Sequence, residues 1–299
     1  MAKITAIDLV NYATQSWRIR RFLTWLGQGF ANIRISWIKN KQITLFTKFF
    51  PIDWQEAQFT SPNDYPTFNA FFTRKLKADA RPIDHTPNTL VFPVDGYVSE
   101  FGKIEKDQLL QAKGFYYGVN ELIGDPELAR HFHDGEFITL YLAPDNYHRV
   151  HCPFEGKISA MRYIPGRLFS VNAATTQKTP QLFTRNERVV SIFETAHGPV
   201  AVIFVGAGLV GGIHTTWAGR VCPPHGDKVQ AWEYLTSEYH GINIDRGQEI
   251  GHFSIGSTVI ILTPSGSLSW KKHLAPNQTV KMGEEMARWN NAFAWHYAG

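Results

Sequence analysis

Cysteine is nearly absent: the 299 residues hold two, Cys152 and Cys222, far apart and in no metal-binding or redox spacing. This excludes a disulfide-stapled scaffold and a cysteine-ligated zinc site, and it fits reduced thiols in the cytosol. Also missing is an uninterrupted apolar run long enough to span a membrane. Charges break up the N-terminal segment, and the charge-free stretch 198–219 carries six glycines, too many for a spanning helix. The N-terminus lacks the apolar core and small-residue cleavage site of a signal peptide. No low-complexity segment or internal repeat divides the chain. Acidic residues are scarce at the start, where residues 1–50 carry eight Lys or Arg against the single Asp8. Since the whole chain sums to +4, the other 249 residues sum to −3, and the basic character is local. Such a segment seeks an anionic membrane or nucleic acid.

The interleaved residues favour the membrane. Ile19, Phe22, Leu23, Leu26, Phe30, Ile33 and Trp37 share a helical face, opposite Arg18, Arg21, Gln28, Asn32 and Lys39. That pattern predicts helices lying in the headgroup region, split near Gly27 and Gly29, with no role in nucleic-acid binding. The competing use of the same face is packing on the rest of the protein. Asp53-Trp54-Gln55-Glu56 matches a capping box and predicts a short helix. Thr67 is placed to cap another, with Phe68, Phe71, Phe72 and Leu76 on one face and Arg74, Lys75 and Lys77 in its tail.

From about Leu90 the periodicity shortens to runs punctuated by glycine and proline: LVFPV, FITLYLA, KISAMRYI, RVVSIFET, PVAVIFV and STVIIL. The expected fold is α+β, with N-terminal amphipathic helices (1–86) followed by a mostly antiparallel β domain (87–299). Gly206, Gly208 and Gly211 have the dinucleotide-binding spacing, but Gly212 to Trp217 reads as a strand where that site needs a helix. His131, His133, His148 and His151 could be taken for zinc ligands. Without further converging ligands the expectation is no metal.

Ser257 stands between an apolar approach and the β-branched run Val259-Ile260-Ile261-Leu262, directly after Gly256. Alone, Gly256-Ser257-Thr258 is an ordinary turn. With Asp95 and the histidines His148 and His151 it becomes a possible acid, base and nucleophile, a constellation recognised by role and not by chain order.

Six blocks make this more specific: FFTRKLKADARPID (71–84), VFPVDGYVSEFG (91–102), YLAPDNYHRVHCP (141–153), PGRLFSVN (165–172), VGAGLVGGIHTTW (205–217) and RGQEIGHFSIGSTVI (246–260). In order and spacing they resemble the bacterial phosphatidylserine decarboxylases, whose signature Gly-Ser-Thr follows a leucine, here replaced by Ile255. The resemblance implies self-cleavage between Gly256 and Ser257 into chains 1–256 and 257–299. Asp95, His151 and Ser257 would form the relay for that cut. A pyruvoyl group derived from Ser257 would then form a Schiff base with phosphatidylserine and release carbon dioxide to give phosphatidylethanolamine. His148 would transfer a proton or bind substrate. It further implies a homodimer of processed protomers, peripheral on the cytoplasmic side of the cell membrane. A competing enzyme class is a serine hydrolase of lipid esters using Asp95, His151 and Ser257, but the chain lacks a Gly-x-Ser-x-Gly elbow. A lipid-binding protein without activity would have no use for all four residues.

Overall fold

The computed structural model describes residues 26–112, 114–207, 212–222, 228–254 and 257–290. Residues 26–31 are helical, and helix α1 spans Ser36–Phe49. The break falls after Asn32, not at Gly27 and Gly29, because the Asn32 side chain donates to the Gln28 carbonyl at 2.8 Å and competes with helix continuation. Arg18, Ile19, Arg21, Phe22 and Leu23 lie outside the described residues.

The faces of α1 are distributed differently from the sequence expectation. Lys39, expected in solvent, is buried and donates to the Pro62 and Asn63 carbonyls at 2.8 and 3.2 Å. Trp37, on the face expected to meet the membrane, is 65% exposed, and Leu45 and Phe49 are 59% and 72% exposed, interleaved with exposed Lys41 and Lys48. Ile43 and Phe46 hold α1 to helix α2 (Phe68–Phe72), with the Phe46 and Phe68 rings 5.3 Å apart, edge to face.

Thr67 caps α2 as expected, accepting from the Ala70 N–H at 3.0 Å. The helix ends at Phe72, where the Thr73 hydroxyl takes the Asn69 carbonyl, and Leu76 forms a bridge with Ala57 instead of extending the helix. Asp53–Glu56 does not start a helix. Asp53 accepts from Gln55 N in a turn, while the Glu56 carboxylate binds Arg81 and Lys281 and is not available to cap.

The fold is α+β, and its strands pair antiparallel. Those that build the site are β1 (Gly96–Lys103), β2 (Glu136–Leu142), β3 (Arg149–His151), β4 (Gly156–Ile164), β5 (Arg188–Thr195), β6 (Gly198–Gly206), β7 (Ile213–Thr215), β8 (Glu249–Phe253) and β9 (Ser257–Thr263). A nine-stranded sheet runs β4-β5-β6-β9-β2-β1, extended beside β4 by Gln230–Glu233 and Ile242–Ile244 and beyond β1 by Thr279–Val280. A four-stranded sheet runs Gly219–Cys222, β7, β8, β3.

Strand β9 lies between β6 and β2, and all seven of its residues are buried. Val259 and Ile261 enter one core with Val150, Phe204 and Phe253, and Ile260 and Leu262 enter the other with Val190 and Ile203. Covering both faces explains the unbroken apolar run, and each branched side chain so buried contributes about 1.5–3 kcal/mol. Ser257 opens this strand, paired in register with Leu142 and Gly206. Position 257 is therefore held whatever becomes of the chain before it.

Candidate active site

Asp95 stands just before β1 where that strand crosses β2 closely. A Cβ at Gly96 would lie 2.3 Å from the Tyr141 carbonyl oxygen, so only glycine permits the crossing. The Asp95 carboxylate is buried and gripped by Arg81, whose Nε donates at 2.9 and 3.1 Å to the two oxygens and whose Nη2 donates to Oδ2. The Met282 N–H donates to Oδ1 at 2.9 Å, and Arg81 also pairs with Glu56 at 2.6 Å. Arg81 was not among the sequence expectations, although it stands in FFTRKLKADARPID.

His151, on β3, has both ring nitrogens engaged. Its Nδ1 lies 2.8 Å from the Gly247 carbonyl, which can only accept, so Nδ1 carries the proton. Nε2 then accepts from the Tyr147 hydroxyl at 3.0 Å. Burial lowers the His151 pKa, which the Gly247 carbonyl and the charges of Glu249 and Asp95 partly offset. Asp95 thus acts on His151 through its field and not through a hydrogen bond. The structure does not join Asp95, His151 and Ser257 into a hydrogen-bonded relay.

His148 is fully buried at the entry to β3. Its Nδ1 donates to the Asn146 carbonyl at 2.9 Å, and its Nε2 is buried with no hydrogen-bond partner among the described residues. Two residues before core-facing Val150, it shares that residue's side of an extended segment, and His151 takes the other. The Ser257 hydroxyl is likewise buried without a partner among the described residues, and alternation puts it on the face of Val259 and Ile261, which enter the core that holds Val150. The chain tethers the two residues from both sides. The His148 carbonyl accepts from Phe253 N at 3.1 Å, four residues before Ser257, and the turn Ala143–Asn146 links His148 to Leu142, the register partner of Ser257. Alternation along this segment therefore puts His148, not His151, on the side of Val150, whose core also takes in Val259 and Ile261.

Burial also holds His148 neutral, at about 3 against an ordinary 6.5, with Arg74 reinforcing the effect and the Asn146 carbonyl opposing it. Between those pH values the unfolded chain binds a proton that the folded chain refuses, so this stability is present above about 6.5 and lost as pH falls toward 3. Urea midpoints should therefore drop on acidification, with a slope of up to about 1.4 kcal/mol per pH unit from this residue. A His148→Asn variant should show a shallower drop, and parallel curves for the two proteins would refute the assignment.

Gly206 ends β6, Gly208 and Gly211 fall outside the described residues, and Ile213–Thr215 is a strand, so the dinucleotide spacing lacks its helix. Among the described residues no three His, Cys, Asp or Glu side chains are grouped to hold a metal ion. Burial pushes the Cys152 thiol up to about 12, leaving it unreactive.

Comparison with known proteins adds the chemistry such a site performs elsewhere. Residues 68–288 match the phosphatidylserine decarboxylase family. A phosphatidylserine decarboxylase proenzyme of Idiomarina loihiensis is 45% identical over 281 residues, covering 94% of this chain and 96% of that one. Those of Stutzerimonas stutzeri (46% over 259 residues; 86% and 87% covered) and Sodalis glossinidius (43% over 283 residues; 94% and 96% covered) are similar to the same degree.

Proposed function

The chain belongs to the phosphatidylserine decarboxylase family, and we propose that it is a self-processed carboxy-lyase converting phosphatidylserine to phosphatidylethanolamine. The observation that carries this reading is the buried Ser257 hydroxyl at the head of the central strand, which like the buried Nε2 of His148 has no hydrogen-bond partner among the described residues.

In self-cleavage the Ser257 oxygen attacks the Gly256 carbonyl and turns the amide into an ester. Removal of the Ser257 α-proton expels the ester by β-elimination. Hydrolysis of the resulting dehydroalanine, with loss of ammonia, leaves a pyruvoyl cap on residues 257–299. His151, under the field of Asp95, serves as base for the cut once its Nε2 leaves the Tyr147 hydroxyl. Because β9 stays hydrogen-bonded to β2 and β6, the two products remain associated. The pyruvoyl group supplies the electron sink for decarboxylation. His148, its Nδ1–H fixed by Asn146, takes up a proton from solvent at Nε2 and delivers it to the substrate α-carbon after carbon dioxide departs. The purified, cleaved protein should release carbon dioxide from phosphatidylserine in mixed micelles. Cleaved protein without that activity would refute the reading.

Residues 1–86 are the membrane-associating part in this proposal, acting at the cytoplasmic face, with the protein a homodimer of processed protomers. The exposed Trp37, Leu45, Phe49, Lys41 and Lys48 of α1 support peripheral binding to anionic lipid. No helix among the described residues is long and apolar enough to cross a membrane. Replacing Lys41 and Lys48 together by Gln should remove about 2 kcal/mol of attraction and weaken binding to phosphatidylserine vesicles roughly 30-fold. Unchanged co-sedimentation would count against α1 as the contact.

A further inference from the structure

Arg74 is a buried cation that the chemistry above does not use. It is 5% exposed, follows α2, and has no carboxylate within ion-pairing distance among the described residues. Its Nη2 donates to the Asp145 and Asn146 carbonyls at 2.9 and 3.4 Å, but Nε and Nη1 are buried with no hydrogen-bond partner among the described residues. Desolvation lowers its pKa. Holding a guanidinium in this condition is costly unless an anion completes it, and its planar fork matches a phosphate or carboxylate.

The position of Arg74 says which ligand is near. The Asn146 carbonyl that it approaches is the one that receives the Nδ1–H of His148. The Phe72 ring packs tilted against that of His148, centroids 4.2 Å apart, and meets Phe46 of α1 edge to face at 6.0 Å. Arg74 and His148 therefore meet at one carbonyl, and His148 packs through Phe72 toward α1.

From this we infer that Arg74 binds the phosphodiester of the phosphatidylserine headgroup. The inference rests on the decarboxylase reading above and adds the anion subsite which that reading lacks. The other anion of the headgroup, the carboxylate, fits less well. It leaves as neutral carbon dioxide, so an ion pair to it would stabilise the ground state more than the transition state and slow the reaction. The phosphodiester keeps its charge from substrate to product, and a contact with it helps binding throughout.

The test uses full-length Arg74→Gln and Arg74→Lys, with the extent of self-cleavage read by denaturing electrophoresis and kinetics measured on cleaved protein. Arg74→Gln should raise KM for phosphatidylserine about 10- to 100-fold and leave kcat nearly unchanged. The second readout is borohydride trapping of the product, phosphatidylethanolamine, on the small chain, measured by mass. That lipid has the phosphodiester but no carboxylate, so its trapping should weaken by a similar factor. Trapping that survives while KM for phosphatidylserine rises would assign Arg74 to the carboxylate and overturn the inference. Unchanged KM and trapping would overturn it as well. If Arg74→Gln fails to cleave, Arg74→Lys carries the test, with smaller losses expected in both readouts and unchanged values again contradicting the subsite. Wild-type protein that cleaves but releases no carbon dioxide would instead refute the decarboxylase reading.

Discussion

Ser257→Ala is expected to remain a single chain of 299 residues, with decarboxylation reduced by at least about 10⁴-fold. The substitution removes both the oxygen that attacks Gly256 and the atoms that become the pyruvoyl cap. It should do so without loss of fold. The Ser257 hydroxyl has no hydrogen-bond partner among the described residues, its backbone pairing with Leu142 and Gly206 is independent of the side chain, and alanine fits the same space. Ser257→Cys keeps a nucleophile and should cut slowly. Denaturing electrophoresis reads both variants, and efficient cleavage of the alanine chain at this bond would end the proposal.

Exchanging the two histidines for alanine should separate two functions. His151→Ala is expected to accumulate precursor, with maturation slowed about 10²- to 10⁴-fold, whereas His148→Ala should mature and then lose about the same factor in kcat. The geometry makes this a demanding test. The Nε2 of His148 has no partner among the described residues, while that of His151 must first leave the Tyr147 hydroxyl. A maturation time course followed by single-turnover carbon dioxide release from whatever matures decides the matter. If His148→Ala is the variant that fails to cut and His151→Ala matures normally, the roles are reversed.

The central strand was legible because burial on both faces leaves a continuous β-branched run, and Val259 to Leu262 occupy both cores as that pattern requires. The α+β class followed from the change of periodicity, and Thr67 as a helix cap followed from local chemistry. What escaped depends on distant partners. Glu56 matched a capping box, yet Arg81, 25 residues on, took its carboxylate. The same arginine holds Asp95, which an acid-histidine-serine pattern assigns to histidine. The Tyr147–His151 bond spans only four residues, but the turn that forms it has no periodic signature. In α1 the helical period was readable and the inward face was not. Lys39 is buried because the Pro62 and Asn63 carbonyls satisfy its ammonium, and those contacts lie more than 20 residues away.

Intact-mass measurement of the purified protein under denaturing conditions tests the central claim most directly. The account predicts two chains, residues 1–256 and a chain beginning at position 257 whose first residue has lost its amine to a pyruvoyl cap that borohydride reduces. One intact chain, or a small chain beginning with an ordinary serine amine, would contradict it.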